Sequence, residues 1–315
     1  MPVMLSDRLV GCRVVVRYRR PDADDGRPPL SDLVGELVVL TADRVTVRTR
    51  SGDRTVHRAD VLVARPVAAS RREVLELARI SRLGWRAAHS TEVGGWLLQA
   101  NAGWTGRANS ALPLRTSDRP LDEQLAAARR FYDGHGLPLL IQLPLPARGL
   151  LDAELAGRCW RRVRPVAVLT RPLAALAEPA LPVRIAEQPD DRWLAAYHYR
   201  GAPLPEAGRQ LLVRHPHAGF ASVELDGRLV AIGRGTVDEG WLGLTAIEVD
   251  PDYRRQGVAT ALIGALAGWA LGAGPAAATR CYLQAEDENE PAARLYQRLG
   301  FTEHHRYHYR AEPAG

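Results

Sequence analysis

From residue 8 to 66 apolar and polar positions alternate. RVVVRYR (Arg13 to Arg19), SDLVGELVVLT (Ser31 to Thr41), DRVTVRTRSG (Asp43 to Gly52) and RTVHRADVLVARPV (Arg54 to Val67) each carry this pattern. A period of two puts one strand face in a core and the other in water. SGD at Ser51 to Asp53 reads as a tight hairpin turn. These short strands predict a small β-barrel over residues 1–68, SH3-like in pattern. RPDADDGRPP (Arg20 to Pro29) predicts an exposed loop.

The period then changes. SRREVLELARISRLGW (Ser70 to Trp85) has helical spacing and a basic face. Strands are predicted at Trp96 to Ala100, Asn109 to Leu114, Leu137 to Leu143 and Val163 to Thr170, with helices at Leu121 to Gly134 and Leu151 to Arg161. The Pro/Ala-rich run Arg171 to Pro182 reads as a linker. Beyond it the predicted strands are Val183 to Glu187, Ala218 to Leu225, Leu229 to Val237, Trp241 to Val249, Thr279 to Ala285 and Phe301 to Arg310. The predicted helices are Asp191 to Tyr199, Pro205 to Arg214, Val258 to Leu271 and Pro291 to Leu299. In Val258 to Leu271, the residues Ala259, Leu262, Ile263, Leu266, Trp269 and Ala270 form one apolar face.

Two regions echo each other. LLIQLP, a helix and VAVLTR parallel CYLQAE, a helix and HRYHYR. Upstream, WLLQANAGWTGRANSALPL parallels RLVAIGRGTVDEGWLGLTAIEV. The order of elements agrees better than the residues do, as in a tandem half-repeat. The predicted organisation is a barrel over 1–68, a middle region over 69–172 and a C-terminal domain over 181–315.

Composition narrows the class. An apolar content of 46% supports packed cores and excludes a disordered chain. No apolar run has the length of a membrane span, and no secretion signal is visible. Cys12, Cys159 and Cys281 are far apart and odd in number, so they read as buried thiols in a reducing cytoplasm. The net charge is +6, and every one of the 42 basic residues is arginine. Such a bias weakens any argument from arginine abundance alone.

The chemistry concentrates at VDPDYRRQGVATALIGALAGWAL (Val249 to Leu271). Charged residues surround one glycine and run straight into an apolar helix. Unpaired N–H groups and the helix dipole favour an anion there, and glycine lets it approach closely. Arg254-Arg255-Gln256-Gly257-Val258-Ala259 fits Q/R-x-x-G-x-G/A between a strand and a helix. DENEPAARLYQRLGF (Asp287 to Phe301) follows after one strand. Together these resemble the pyrophosphate loop and the later N-x-x-A-x-x-L-Y-x-x-x-G-F segment of the GCN5-related N-acetyltransferases, over residues 183 to 310. With the N-terminal barrel, the chain is similar to a bacterial type variously labelled histone or glutamate acetyltransferase.

The resemblance implies acetyl-coenzyme A as donor. Backbone amides from Gln256 to Thr260, with Val258 and Ala259 between them, would hold its pyrophosphate, helped by Arg254 and Arg255. Ile247 to Val249 would pair with the pantetheine arm, and the Val249 N–H would meet the thioester oxygen. Tyr296 stands where the family places its general acid, or is a packed aromatic. Asn289 caps its helix and, by resemblance, also touches coenzyme A. The base is open. Gln284 occupies the position some members give to glutamate, and it cannot accept the proton. Glu286 and Glu248 are candidates, as is ordered water or no base. Tyr199 and Arg200 are candidate acceptor contacts. GWTGRANS (Gly103 to Ser110) reads as a hairpin turn, with the alternative that its Arg107 and Asn109 reach a site. His304, His305 and His308 are crowded without a carboxylate or cysteine at ligand spacing, so no metal is expected.

The fold expected is α+β: a mixed sheet flanked by helices, preceded by a degenerate half-domain and the small barrel. The function expected is transfer of acetyl to a primary amine, on a small molecule or a protein lysine or N-terminus. The alternative is an acyl-coenzyme A-sensing module whose barrel contacts nucleic acid or a protein. In a third reading the barrel recruits a macromolecular substrate to the enzyme.

Overall fold

The computed structural model describes residues 5, 9–20, 29–173, 176, 179–199, 201–274 and 277–313. The predicted exposed loop falls largely on 21–28, outside the described residues, as do four positions of the predicted linker. The chain forms two compact units, Met1–Ala69 and Ser70–Gly315.

The first unit is one antiparallel sheet. Its strands are β1 (Arg13–Arg19), β2 (Leu30–Leu40), β3 (Arg44–Thr49), β4 (Gly52–His57) and β5 (Val61–Pro66), in the order β4-β3-β2-β1-β5. The alternation delivers what it predicts: Val14, Val16, Leu37, Val45 and Val47 are fully buried in one core. The β3–β4 hairpin turns at Arg50 and Ser51, because Thr49 already pairs with Gly52. Gly35 lets β3 come close, since a Cβ there would sit 2.0 Å from the Arg48 carbonyl oxygen.

The second unit carries eleven strands in one mixed sheet. In chain order they are β6 (His89–Val93), β7 (Trp96–Ala100), β8 (Ala111–Pro113), β9 (Leu140–Leu145), β10 (Arg161–Pro172), β11 (Arg184–Ala186), β14 (Ala218–Leu225), β15 (Arg228–Asp238), β16 (Trp241–Val249), β17 (Arg280–Glu286) and β18 (Thr302–Ala311). β12 (His198–Tyr199) and β13 (Ala202–Pro203) make a separate hairpin. The helices are α1 (Arg71–Leu83), α2 (Leu121–Asp133), α3 (Gly149–Gly157), α4 (Asp191–Ala196), α5 (Glu206–Val213), α6 (Val258–Leu271) and α7 (Glu290–Arg298). α1 starts at a capping box, with Ser70 Oγ accepting from Glu73 N and Glu73 Oε2 accepting from Ser70 N. Such a cap contributes about 1 kcal/mol.

The sheet order is β11-β14-β15-β16-β17-β10-β18-β9-β8-β7-β6. Outward from the antiparallel β10–β18 pair, β17, β16, β15 and β14 on one side answer β9, β8, β7 and β6 on the other. Each half has one parallel pair, β16–β17 and β8–β9. The last strand of each half has crossed over. β10 pairs with β17, and β18 pairs with β9. The echo in the sequence is therefore a pseudo-twofold arrangement with exchanged final strands. On one sheet face α6 and α7 cover Leu242, Leu244, Leu283 and Phe301, while α2 and α3 cover Trp96, Leu98, Ile141 and Leu143. On the other face α1 lays Leu77 and Ile80 against Tyr282, Tyr307 and Tyr309.

Several boundaries differ from the sequence expectation. β6, HSTEV, is an exposed edge strand with no apolar alternation to announce it. The helix expected over Asp191 to Tyr199 ends at Ala196, and the β12–β13 hairpin begins two residues later. The helix expected at Leu151 to Arg161 ends at Gly157, and Arg161 already starts β10.

Candidate active site

The site is made where β16 leaves β17. The two strands pair from Trp241↔Arg280 to Leu244↔Leu283 and no further. β16 bulges there: its register with β15 shifts between Ile232 and Arg234, and Ala246 takes φ 53°. A bulge bends its strand away from the neighbour. Beyond it Asp250 N donates to Val230 O (2.9 Å), back toward β15. By alternation along a strand, the Val249 and Ile247 N–H groups point the other way, into the opening. Their side chains pack in the core shared with Val258 and Tyr296.

Across the opening α6 begins. Arg255 and Gly257 both have left-handed backbone, at φ 62° and φ 81°. Nothing lies within 4 Å of a Cβ built on Gly257, so conformation rather than space asks for glycine. A side chain there costs about 1–2 kcal/mol. The first helical bond is Ala261 N to Gly257 O (2.9 Å), so the Val258, Ala259 and Thr260 N–H groups face outward at the helix start. Left-handed turns of this kind gather amides into an anion-binding concavity. Arg254, Arg255 and Gln256 are exposed around it. Arg254 Nε donates to Val249 O (3.2 Å), and Gln256 Nε2 to Asp252 O (3.0 Å), which tie the turn to the strand end.

Tyr296 lies in α7, 9% exposed, its ring edge-on to Phe301 at 5.8 Å. Burial pushes its phenol up to about 12. It therefore holds its proton throughout the neutral range. Asn289 caps α7, with Oδ1 accepting from Ala292 N (3.2 Å).

The opposite face of the opening is polar. Glu248 lies on β16, and its Oε1 accepts from His198 N (3.0 Å). Burial raises its carboxyl above the usual glutamate range, against the opposing pull of that N–H. By alternation Gln284 and Glu286 share this face on β17. Gln284 Oε1 accepts from Arg107 Nε (2.6 Å) and from Tyr307 Oη (3.2 Å). Tyr199 stands in β12, one residue after His198, and Arg200 lies outside the described residues.

The hairpin Gly103–Ser110 is thus part of this neighbourhood. Arg107 reaches Gln284, whereas Asn109 is scaffolding: its Oδ1 accepts from Asn101 N and Gly103 N, and its Nδ2 donates to Thr105 O. Sequence reasoning did not find the Arg107–Gln284 contact, which spans 177 residues of chain. It also missed Thr245, whose Oγ1 is buried without a partner at the bulge. His304 and His305 are pulled down to about 4 and about 3 by burial and stay neutral. His308 binds Asp152 (2.7 Å). Among the described residues, no three His, Cys, Asp or Glu are grouped to hold a metal ion. No described helix is long and apolar enough to cross a membrane.

Comparison with known proteins settles the family. Residues 71–310 match the family described as the C-terminal part of the probable histone acetyltransferase Rv0428c, and residues 8–65 match its N-terminal Sm-like domain. The chain belongs to this GCN5-related N-acetyltransferase family. The probable histone acetyltransferase Rv0428c of Mycobacterium tuberculosis is 32% identical, over 97% of this chain and 96% of that protein. An uncharacterised N-acetyltransferase of Bacillus subtilis, YobR, is 27% identical over 76% of this chain and 98% of its own. Among solved structures, a GCN5-related N-acetyltransferase from Kribbella flavida aligns with TM-score 0.59 and 17% identity, covering 77% of this chain and 96% of its own. A tandem protein of the same superfamily from clavulanic acid biosynthesis aligns with TM-score 0.52 and 15% identity, covering 79% and 92%. The fold is therefore that of the GCN5-related acetyltransferases, behind a small antiparallel domain. The protein is an acetyltransferase.

Proposed function

We propose that this acetyltransferase moves the acetyl group of acetyl-coenzyme A to a primary amine by direct attack in a ternary complex. One observation carries the reading. The left-handed Arg255–Gly257 turn aims the first amides of α6 beside a strand edge that has lost its neighbour. An anion and an extended arm would fit there, side by side. Val258, Ala259 and Thr260 N–H would hold the pyrophosphate, with Gln256 and Gly257 amides and the Arg254 and Arg255 charges around it. Ile247 and Val249 would pair with the pantetheine arm, and the Val249 N–H would meet the thioester oxygen as it gains charge. The acetyl thioester supplies an activated carbonyl and a thiolate leaving group.

Tyr296 then acts as general acid, its proton going to the departing sulfur. Glu248 is the better-placed base, since its raised carboxyl faces the acceptor side; Glu286 and ordered water complete the set. Asn289 fixes the start of α7 and so the approach of Tyr296. Tyr199 and Arg200 belong to the segment that would receive the acceptor. A covalent acetyl-enzyme is disfavoured, because burial pushes the Cys281 thiol up to about 12. The relative named a probable histone acetyltransferase recommends lysine-rich proteins among the acceptors, with the N-terminal domain as their recruiting surface or as a contact for nucleic acid.

The test is acetyl-coenzyme A turnover, read as free thiol, against amino acids, polyamines, aminoglycosides and lysine-rich proteins. Wild type runs beside Tyr296→Phe. Turnover that weakens in the variant supports the reading. A wild type that does not bind acetyl-coenzyme A sinks it.

A further inference from the structure

Two arginines, Arg107 and Arg234, stand over Trp85, a third, Arg82, donates to the Arg107 carbonyl, and Arg82 and Arg234 are buried with neutral hydrogen-bond partners. Arg234 is 0% exposed. Its Nε donates to Leu212 O (3.0 Å), and both terminal nitrogens donate to Gly84 O. Arg82 is 2% exposed. It donates to Gln99 Oε1, Arg107 O and Ser110 Oγ, and its Nε is buried without a partner. Among the described residues, no carboxylate lies within ion-pair reach of either guanidinium. Buried charges are normally paired, so two that are not call for an account. Arg107 is the outermost of the three. Its guanidinium and that of Arg234 stand over the Trp85 ring at 5.8 Å and 5.6 Å.

This cluster abuts the opening. Trp85 packs in one core with the bulge residue Ala246, and Arg107 is bonded to Gln284, the first β17 residue beyond the pairing with β16. The groups facing the cluster are few. α1 brings Arg82, β15 brings Arg234, and β10 brings Arg164, whose Nη1 would lie 3.3 Å from a Cβ on Gly106. β17 brings Tyr282 and Glu286, β16 brings Glu248, and β18 brings Tyr307 and Tyr309. Burial holds the Tyr282 and Tyr309 phenols well above their ordinary value, so they add no negative charge. Arg234 is lowered by burial only to about 10 and stays charged. β15 also brings Asp238, the carboxylate that acts on Arg234, and Tyr197 faces the same guanidinium.

We propose that the guanidinium cluster of Arg82, Arg107 and Arg234 makes the acceptor face electropositive, so that the incoming amine is held in its unprotonated, nucleophilic form. The proposal rests on the acetyl-transfer reading above. A positive surround makes the ammonium a stronger acid, and the proton passes to Glu248 or to water. The neutral nitrogen then bonds to the acetyl carbon as the carbon–sulfur bond breaks. Tyr296 gives its proton to the sulfur, and the proton shed by nitrogen restores the phenol through solvent. Arg107 is a positioning residue here; it comes from the N-terminal half and serves the C-terminal one.

The cluster can be measured without knowing the acceptor. In the full-length protein, Gln284→Cys places a thiol beside Arg107, and its titration is followed by the pH dependence of iodoacetamide labelling at that peptide. Adding Arg107→Gln is expected to raise the thiol's pKa by about one unit, while adding Arg107→Lys leaves it nearly in place. A shift within about 0.3 units on Arg107→Gln overturns the proposal. In the kcat profile of the amine that turns over best, Arg107→Gln should move the amine's own step on the acid limb to higher pH by about one unit, with Arg107→Lys restoring it. An unmoved limb also overturns it. Acetyl-coenzyme A binding is followed in the same samples. Its absence from wild type condemns the acetyl-transfer reading, while the thiol titration still reports the cluster.

Discussion

The two halves of the large unit share a plan and differ where the chemistry would be. In the C-terminal half, β16 bulges, parts from β17 and leaves amides pointing into the gap. In the N-terminal half, β8 is three residues long and ends at Pro113, which has no N–H to offer. Arg148 closes what gap remains, its Nε donating to Pro113 O (2.7 Å). The helix starts differ as well. α6 follows a left-handed glycine, whereas α2 follows Pro120, and among the described residues none from 104 to 135 has positive φ. In the α2 turn Ser117 Oγ accepts from Arg119 N, and Gln124 returns to Val93 O. That turn uses its polar groups on itself. On the proposed reading, the same layers of helix and sheet form a binding site in one copy and a scaffold in the other, and backbone details decide which.

The comparison breaks most easily at Gly257. Gly257→Glu puts a carboxylate among the amides and forces a side chain into left-handed backbone. Acetyl-coenzyme A affinity measured by calorimetry is expected to fall at least about 100-fold. Ser117→Glu in the matching turn of the other half should leave it unchanged. Next comes Tyr296→Phe, which removes one buried hydroxyl without emptying the core. Its kcat should drop about 100-fold with the acetyl-coenzyme A dissociation constant unmoved.

A pH profile sharpens the picture further. Glu248 must be ionised to accept a proton, and burial raises its carboxyl above the usual range. On the proposed reading, activity should therefore fall as pH drops through a value higher than that of an ordinary glutamate, and Glu248→Gln should remove that step while leaving the step of the bound amine. Tyr296 must stay protonated, and it does so up to about 12, so it sets no alkaline limb near neutrality. The smallest effect belongs to the N-terminal half of the large unit. Arg148→Ala leaves the Pro113 carbonyl oxygen without its partner and should cost about 1–2 kcal/mol in denaturant unfolding, with no change in acetyl-coenzyme A binding.

Much of this was legible in the residues. The period-two runs named the barrel strands, and Val258 to Leu271 named α6, because strong periodicity reflects burial directly. The order of elements exposed the repeat. What escaped has a common physical cause. β6 is a polar edge strand held by pairing alone, so its sequence carries no burial pattern. The exchange of β10 and β18 is a choice of partner between strands of equal apolar character, which local sequence does not encode. Arg107 looked like one polar residue of a turn, and only the fold brings it to Gln284. The motif around Gly257 could be read because its backbone geometry demands a residue type; the acceptor side is assembled from long-range neighbours and could not.

The most direct test of the account is the stoichiometry of acetyl-coenzyme A on the full-length chain, by equilibrium dialysis with labelled ligand. One molecule bound per chain, lost in Gly257→Glu, is the predicted result. Two molecules per chain, or one that survives Gly257→Glu, would place a donor site in the N-terminal half of the large unit and contradict the account.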